Sequence, residues 1–160
     1  KGVIYYFSAD SMVWATMEPT QYMSKLFLMP YIYDLDTVTY RDNECELTAV
    51  VEWGAEDAKV TLNGEQADLE RFQLFYQFLV SCRGEEIYVG EEKGDFIAEF
   101  SYTYDDDREK DTVTLYESDD RKIIIAVNGK NIFKTKWNYA TRLLENAQAY
   151  LNGGEIVLNF

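Results

Sequence analysis

The stretch TVTLYESDDRKIIIAVNG, residues 112–129, decides the fold of this chain. Two runs rich in β-branched and aromatic residues, 112–117 and 122–127, flank a short polar turn, and the second run ends in Asn128-Gly129. Asn-Gly supplies the positive φ angles that a tight type I′ turn requires. The stretch therefore predicts a β-hairpin followed at once by a tight turn.

The same pattern occurs 65 residues earlier, in LTAVVEWGAEDAKVTLNG at 47–64. At this offset Glu52 aligns with Glu117 and Asn63-Gly64 with Asn128-Gly129, and the apolar pattern agrees without a gap over 18 positions. Self-similarity of this kind indicates duplicated supersecondary units. We therefore expect two copies of one hairpin unit.

A helix is predicted after each hairpin. Asp68 is a good N-cap for the first helix, whose apolar residues recur at helical spacing until Gly84 stops it. The second helix is predicted from about residue 136 to 152, with Trp137 on its apolar stripe and Gly153 as its stop. Since a hairpin and a helix alone leave an apolar face exposed, the two copies are expected to pack against each other.

The fold class follows from these elements together with a truncated copy at the start, where strands at 3–7 and 12–17 precede a helix opened by Pro19. Further strands are predicted at 31–40, 96–104 and 156–160. We predict an α+β fold of repeated β-hairpin-plus-helix units, with mostly antiparallel sheets and helices packed on one face. The predicted divisions are a partial copy at 1–35, a first full repeat at 36–90 and a second at 91–160, together one compact structural unit.

Composition excludes several functions. The chain has 15 basic and 29 acidic residues, a net charge of −14, and such a field repels phosphate backbones, so nucleic-acid binding is not expected. It has no His, which removes the commonest general base and metal ligand. Cys45 and Cys82 are too few for a zinc ribbon or a disulfide framework, and one bridge between them stays open. We predict neither catalytic residues nor a cofactor.

Alternating carboxylates at Asp105, Asp107, Glu109 and Asp111 are the best metal-ligand candidates, and they would suit Ca²⁺. An EF-hand loop needs Gly at its sixth position and a carboxylate at its twelfth, where this sequence has Lys110 and Tyr116. We therefore interpret the segment as a solvated hairpin turn, with a calcium site as the alternative.

The three tryptophans are candidates for contacts with a ligand or partner. Trp14 lies in a predicted strand and Trp137 on a helical apolar stripe, so we assign both to the core. Trp53 precedes Gly54 at the turn of the first hairpin, where the second copy has Ser118. Trp53 is therefore the predicted surface aromatic.

The hairpin followed by Asn128-Gly129, by Phe133 and Trp137, and by a helix closing on LNGGEI at 151–156, resembles the bacterial family catalogued as domain of unknown function 4340. The segment LDTVTY at 35–40 is similar to the strand that opens the repeat of that family. The resemblance implies an extracytoplasmic domain, tethered by an N-terminal membrane segment, which in some relatives accompanies ABC-type transport or gliding-motility components. It brings no catalytic residues. Because the sequence starts at Lys1 in a strand-like run, we expect an excised anchor upstream.

These observations predict a non-enzymatic interaction or scaffold module of the cell surface or cell envelope, accessory to an ABC-type transport or motility system. Its expected partner is a protein, with membrane contact only through the anchor. The alternative is a glycan-binding domain that uses surface aromatics in a groove between the copies. A hydrolase that uses two carboxylates stands third.

Overall fold

The structure is a computed structural model that describes residues 26–54 and 58–160. Its elements, in chain order, are a 3-10 turn Ile32–Asp34, β1 Leu35–Asp42, β2 Glu46–Trp53, β3 Ala58–Leu62, β4 Glu65–Ala67, α1 Leu69–Val80, β5 Glu86–Ile87, β6 Phe96–Tyr104, β7 Asp111–Glu117, β8 Lys122–Val127, β9 Lys130–Lys136 and α2 Trp137–Asn152. Neither helix of these described ranges is long and apolar enough to cross a membrane. The predicted copy at 1–35 lies largely outside the described residues, and Trp14 lies outside them entirely.

The described strands form one sheet of nine, in the order β4-β3-β2-β1-β6-β7-β8-β9-β5, and every pairing is antiparallel. Four strands and a helix thus follow one another twice along the chain, with β5 between the two runs. The first strands of the two runs, β1 and β6, pair from Leu35 and Tyr104 to Asp42 and Ala98 at the centre of the sheet. The predicted α+β class with a mostly antiparallel sheet is confirmed.

The helices bury one face of the sheet. Alternate residues of β2, Leu47, Ala49 and Val51, join the same buried cluster as the helical Phe72 and Leu143. Apolar side chains two positions apart share a face of a strand, so this face supplies the core. The opposite face is polar across β1 and β6, where the hydroxyl groups of Thr39 and Ser101 lie 2.6 Å apart.

Both predicted Asn-Gly turns are confirmed. Asn63 and Gly64 have φ angles of 52° and 86°, and Asn128 and Gly129 have 50° and 79°, as a type I′ turn requires. The Asn63 Oδ1 accepts a 2.8 Å hydrogen bond from the Thr48 N–H, and the Asn128 Oδ1 accepts one of 2.8 Å from that of Thr112. Each turn is therefore hydrogen-bonded to the first strand of the preceding hairpin, which is β2 for Asn63-Gly64 and β7 for Asn128-Gly129.

The hairpins differ in register from the sequence alignment by one residue. Val51 pairs with Val60 in the first hairpin, and Leu115 pairs with Ile125 in the second. Both Val51 and Leu115 are buried, whereas the alignment at 65 residues matched Val51 with the half-buried Tyr116. A shift of one residue moves a side chain to the other face of the sheet. The offset that matches β2 with β7 in the structure is therefore 64 residues.

Several predicted element ends are wrong. The helix α1 ends at Val80 rather than near Gly84, and the strand predicted at 31–40 starts at Leu35. Residues 156–160 form no strand, since the Val157 N–H donates to Asn146 Oδ1 and the Val157 carbonyl accepts from Asn146 Nδ2, both at 2.9 Å. A buried side chain thus takes the place of a neighbouring strand.

Candidate functional site

Three aromatic side chains form an exposed surface at one end of the β1–β2 hairpin, and we call Tyr31, Tyr33 and Trp53 the aromatic patch. The Tyr31 and Tyr33 ring centroids lie 5.2 Å apart, and those of Tyr33 and Trp53 lie 4.7 Å apart. Tyr31 is 63% exposed and Tyr33 is 53% exposed. Aromatic side chains at this exposure are candidates for contact with a partner.

Local structure holds the patch in place. Trp53 ends β2, and its indole Nε1–H donates a 2.9 Å hydrogen bond to the carbonyl of Leu35, the first residue of β1. The 3-10 turn Ile32–Asp34 then carries Tyr33 back over the indole, at an interplanar angle of 55°. Trp53 therefore serves as the half-buried base of the patch.

Trp53 was predicted from the sequence, but the two tyrosines, which are more exposed than Trp53, were not. They lie at the start of the segment 31–40, whose sequence predicts a strand. Tyr31 and Tyr33 follow each other at the strand spacing of two, yet the 3-10 turn keeps them out of the sheet. The signal that could have found them is an aromatic pair directly after Pro30.

The acidic loop 105–110 lies next to the start of β1. Arg108 links the two segments, because its Nη2 donates to Asp34 at 2.8 Å and its Nε donates to Asp106 at 2.8 Å. The same guanidinium lies 4.3 Å from the centre of the Tyr104 ring. Hydrogen bonds from Arg108 lower the pKa of Asp106. A cation of the chain itself thus offsets part of the negative charge of this loop.

The calcium candidates do not form a cluster. Asp105, Asp107 and Glu109 are all exposed on the loop. The Asp111 carboxylate is engaged elsewhere, since it accepts from the Tyr104 hydroxyl at 2.6 Å and from Asn128 Nδ2 at 2.8 Å. Among the described residues, no three acidic or thiol side chains converge to hold a metal ion.

A groove of about 240 Å³ lies at the other end of the β1–β2 hairpin, where α2 passes over the ends of the strands. We call it the acidic groove. Trp137, the first residue of α2, is 39% exposed and lines the groove, so its predicted place in the core is wrong. The complete lining is Asp42, Asn43, Glu44, Phe96, Ile97, Glu117, Trp137, Leu144 and Gln148.

A network centred on Asp42 fixes the turn that forms one wall of the groove. Its Oδ1 accepts from the backbone N–H groups of Glu44 and Cys45, at 2.6 and 2.7 Å, and its Oδ2 accepts from the Tyr40 hydroxyl at 2.5 Å. Burial raises the pKa of Asp42, but the hydrogen bonds it accepts outweigh burial and lower the pKa. Asp42 is therefore a charged structural residue.

Both thiols are free, so the bridge that the sequence left open is not formed. Cys45 is half-buried, and burial followed by the charge of Asp42 raises its pKa to about 12. Cys82 is buried, and burial raises its pKa as well. Neither thiol is activated as a nucleophile, because the thiolate is the reactive form.

The protein was compared with family models, with curated proteins and with solved structures, and none of the three comparisons found a match. The resemblance to the family catalogued as domain of unknown function 4340 therefore stays a prediction drawn from the sequence.

Proposed function

We propose that this chain is a non-enzymatic interaction module of the bacterial cell envelope, and that the aromatic patch is the surface that docks its protein partner. The observation that carries the proposal is the exposure of Tyr31 and Tyr33, whose tilted rings pack in series against Trp53. Tyr and Trp are enriched among the residues that dominate protein–protein binding energy. Rings held by neighbouring rings also lose little side-chain entropy on binding.

The proposed setting follows the resemblance to the family of unknown function. We propose an extracytoplasmic domain, tethered by an N-terminal membrane segment in the full-length protein and accessory to an ABC-type transport or motility system. We also propose that the two runs of four strands and a helix are copies of one unit. The matching Asn63-Gly64 and Asn128-Gly129 turns support that proposal.

Charge gives the chemistry of the partner. Asp36 and Glu52 are exposed and adjoin the strand ends that carry the patch. With a net charge of −14, the protein attracts a basic surface and repels an acidic one. The proposed partner therefore presents Lys or Arg beside an apolar contact.

The experiment uses the full-length protein, purified from its native membrane after crosslinking. A double variant, Tyr31→Ser with Tyr33→Ser, is compared with a double variant at exposed apolar residues elsewhere, Leu74→Ser with Val89→Ser. We expect the first to bind a stoichiometric partner about tenfold more weakly, as loss of dominant contacts does, and the second to bind normally. Equal binding by both variants would disprove docking at the patch. Turnover of a defined substrate that is lost on changing one carboxylate would disprove the non-enzymatic role.

A glycan-binding role is the second proposal, because exposed aromatic rings also stack on sugars. The geometry of the patch favours a protein side chain over a pyranose ring. Its rings are tilted by 52° and 55° to their neighbours, so they form a wedge and no flat platform. Titration of the double tyrosine variant with soluble glycans decides between the two, since a glycan site at the patch would lose its ligand there.

A further inference from the structure

The acidic groove is distinct from the aromatic patch. The patch adjoins Leu35 at the start of β1, whereas Asp42 in the groove wall ends the same strand. The length of the strand puts the two roughly 20 Å apart. A variant in one of them therefore leaves the contacts of the other unchanged.

The walls of the groove are apolar and aromatic. Ile97 and Leu144 provide aliphatic surface, and Phe96 and Trp137 provide rings. The volume of about 240 Å³ is smaller than pockets that hold a drug-sized ligand, which span roughly 300–1,000 Å³. The groove therefore suits one long side chain with an apolar stem.

The charge of the groove selects the end group of that side chain. Asp42, Glu44 and Glu117 are acidic, and none of the nine lining residues is Lys or Arg. The Asp42 oxygens are occupied by bonds within its own turn, but Glu44 and Glu117 form no ion pair with any residue of the described ranges. Two exposed carboxylates beside aromatic rings provide both partners of a cationic group, an anion and a π face.

Phe96 already binds a cation of the chain itself. The Arg41 guanidinium carbon lies 5.2 Å from the centre of the Phe96 ring, and Arg41 also pairs with Glu99 at 3.0 Å. A ring next to a carboxylate thus holds a guanidinium at the edge of this groove. The N–H groups at the start of α2 oppose a cation near Trp137, but that effect is confined to the first turn and is screened at the surface.

We propose that the acidic groove binds the side chain of a Lys or Arg residue in a basic peptide segment of a partner protein. The stem lies along Ile97, Leu144 and the Trp137 ring, and the cationic group pairs with Glu44 and Glu117. The proposal extends the interaction role proposed above. It can fail while docking at the aromatic patch succeeds, because the two sites are tested by separate variants.

The test is calorimetric titration, in roughly 0.15 M salt, of the wild-type chain with a blocked nonapeptide that carries three lysines between glycine and serine. The same peptide with norleucine in place of lysine keeps the apolar stem and removes the charge. The groove variants are Glu44→Gln with Glu117→Gln, and Trp137→Leu. The matched control is Glu91→Gln with Glu109→Gln, which removes the same charge from exposed sites elsewhere. Thermal unfolding of each variant confirms that it is folded.

We expect the lysine peptide to bind and the norleucine peptide not to bind. Each groove variant should weaken binding about tenfold, and the control double variant should change it less than about twofold, since distant exposed charges are screened. Equal weakening by both double variants would show a general charge effect and overturn the proposal. Failure of the lysine peptide to bind, or binding of a soluble chitin oligomer in its place, would also overturn it.

Discussion

The Cys45 thiol shows how one turn controls the chemistry of a residue. Burial and the neighbouring Asp42 raise its pKa to about 12, so at pH 8.5 almost none of it is thiolate. We predict that Cys45 in the folded protein reacts with iodoacetamide far more slowly than in the urea-unfolded chain, where its pKa is near 8.5.

The variant Asp42→Asn removes the charge, together with the Oδ2 that accepts from the Tyr40 hydroxyl. Asn keeps an Oδ1 acceptor for the two backbone N–H groups but removes the anion, so we expect alkylation of Cys45 to become several-fold faster. Mass spectrometry of the two cysteine peptides measures both rates, with the buried Cys82 as the internal reference. A rate for native Cys45 equal to that in urea would contradict the prediction.

Gly84 is required for close packing rather than for its backbone angle. A Cβ at this position would lie 2.3 Å from Cγ of the buried Phe133 ring, so the ring would have to move. We predict that Gly84→Ala lowers the free energy of unfolding by about 1–3 kcal/mol, the usual cost of overpacking.

The matched control is Gly154→Ala, because a Cβ there lies 3.4 Å from Ala149, which is close to ordinary contact. Urea unfolding followed by circular dichroism measures both variants. Equal free energies for the two would mean that Phe133 has room to give way, and the packing argument would be wrong.

Among the secondary-structure elements, the features that could be predicted from the sequence are those that depend on residues adjacent in the chain. Asn63-Gly64 and Asn128-Gly129 form the expected turns, and Asp68 caps α1 through a 2.9 Å bond from the Arg71 N–H. The strand β9 was not predicted, because the next element expected after the Asn128-Gly129 turn was a helix from about residue 136. The register error arose because four residues join Trp53 to Ala58, whereas five join Glu117 to Ile123.

The candidate sites were harder to predict than the elements. Trp53 could be named because it stands at a turn, but its contact with Tyr33 depends on a 3-10 turn that strand propensity does not indicate. The lining of the acidic groove comes from the β1–β2 turn, β6, the end of β7 and α2. Such a site depends on how elements cross, and no single stretch of the sequence encodes it.

Arg71 is one of the side chains that join the two helices, beside the Tyr139 hydroxyl that donates to the Leu79 carbonyl. The Arg71 guanidinium of α1 donates to the carbonyl groups of Gly154 at 2.7 Å and Ala149 at 3.0 Å, at the C-terminal end of α2. A cation at that end also interacts favourably with the helix dipole. We predict that Arg71→Lys lowers the free energy of unfolding by about 1 kcal/mol, because Lys keeps the charge but cannot make the paired bonds.

For a chain of this size, that loss corresponds to a melting temperature lower by about 3 °C. Arg83→Lys is the control, since Arg83 is exposed and has no bonded partner among the described residues. Thermal unfolding by circular dichroism compares them. If Arg71→Lys and Arg83→Lys have the same melting temperature, the contact of Arg71 with α2 contributes no more to stability than a solvated surface residue does.

Within the part of the chain that the structure describes, the sheet ends on both sides in short strands. The edge strands β4, Glu65–Ala67, and β5, Glu86–Ile87, contain three and two residues. Short edges with charged side chains resist pairing with another chain, which a long unprotected edge would invite. The broad sheet is thereby compatible with a separate, partner-specific surface such as the aromatic patch.

The buried tyrosines make the whole fold sensitive to alkali. Burial raises the pKa of Tyr102 and Tyr139 well above that of a free tyrosine, and burial together with Asp42 raises that of Tyr40. In the unfolded chain each titrates near 10. Their stabilising contribution is therefore complete below pH 10, and it is lost as the pH rises from there towards their folded pKa values.

Between pH 9 and pH 11 we expect the free energy of unfolding to fall by about 3 kcal/mol or more, since each strongly raised tyrosine contributes about 1 kcal/mol over that range. Tyr102→Phe tests the cause directly. The Tyr102 hydroxyl has no hydrogen-bond partner among the described residues, so its removal should cost little at pH 8 and should make the alkaline loss smaller by about 1 kcal/mol. The control is Tyr31→Phe on the exposed patch, which should follow the wild type. Urea unfolding at pH 8, 9 and 11 measures the free energy of unfolding of the wild type and of both variants. If Tyr102→Phe loses as much stability between pH 9 and pH 11 as the wild type does, burial of this hydroxyl is not a cause of the alkaline loss.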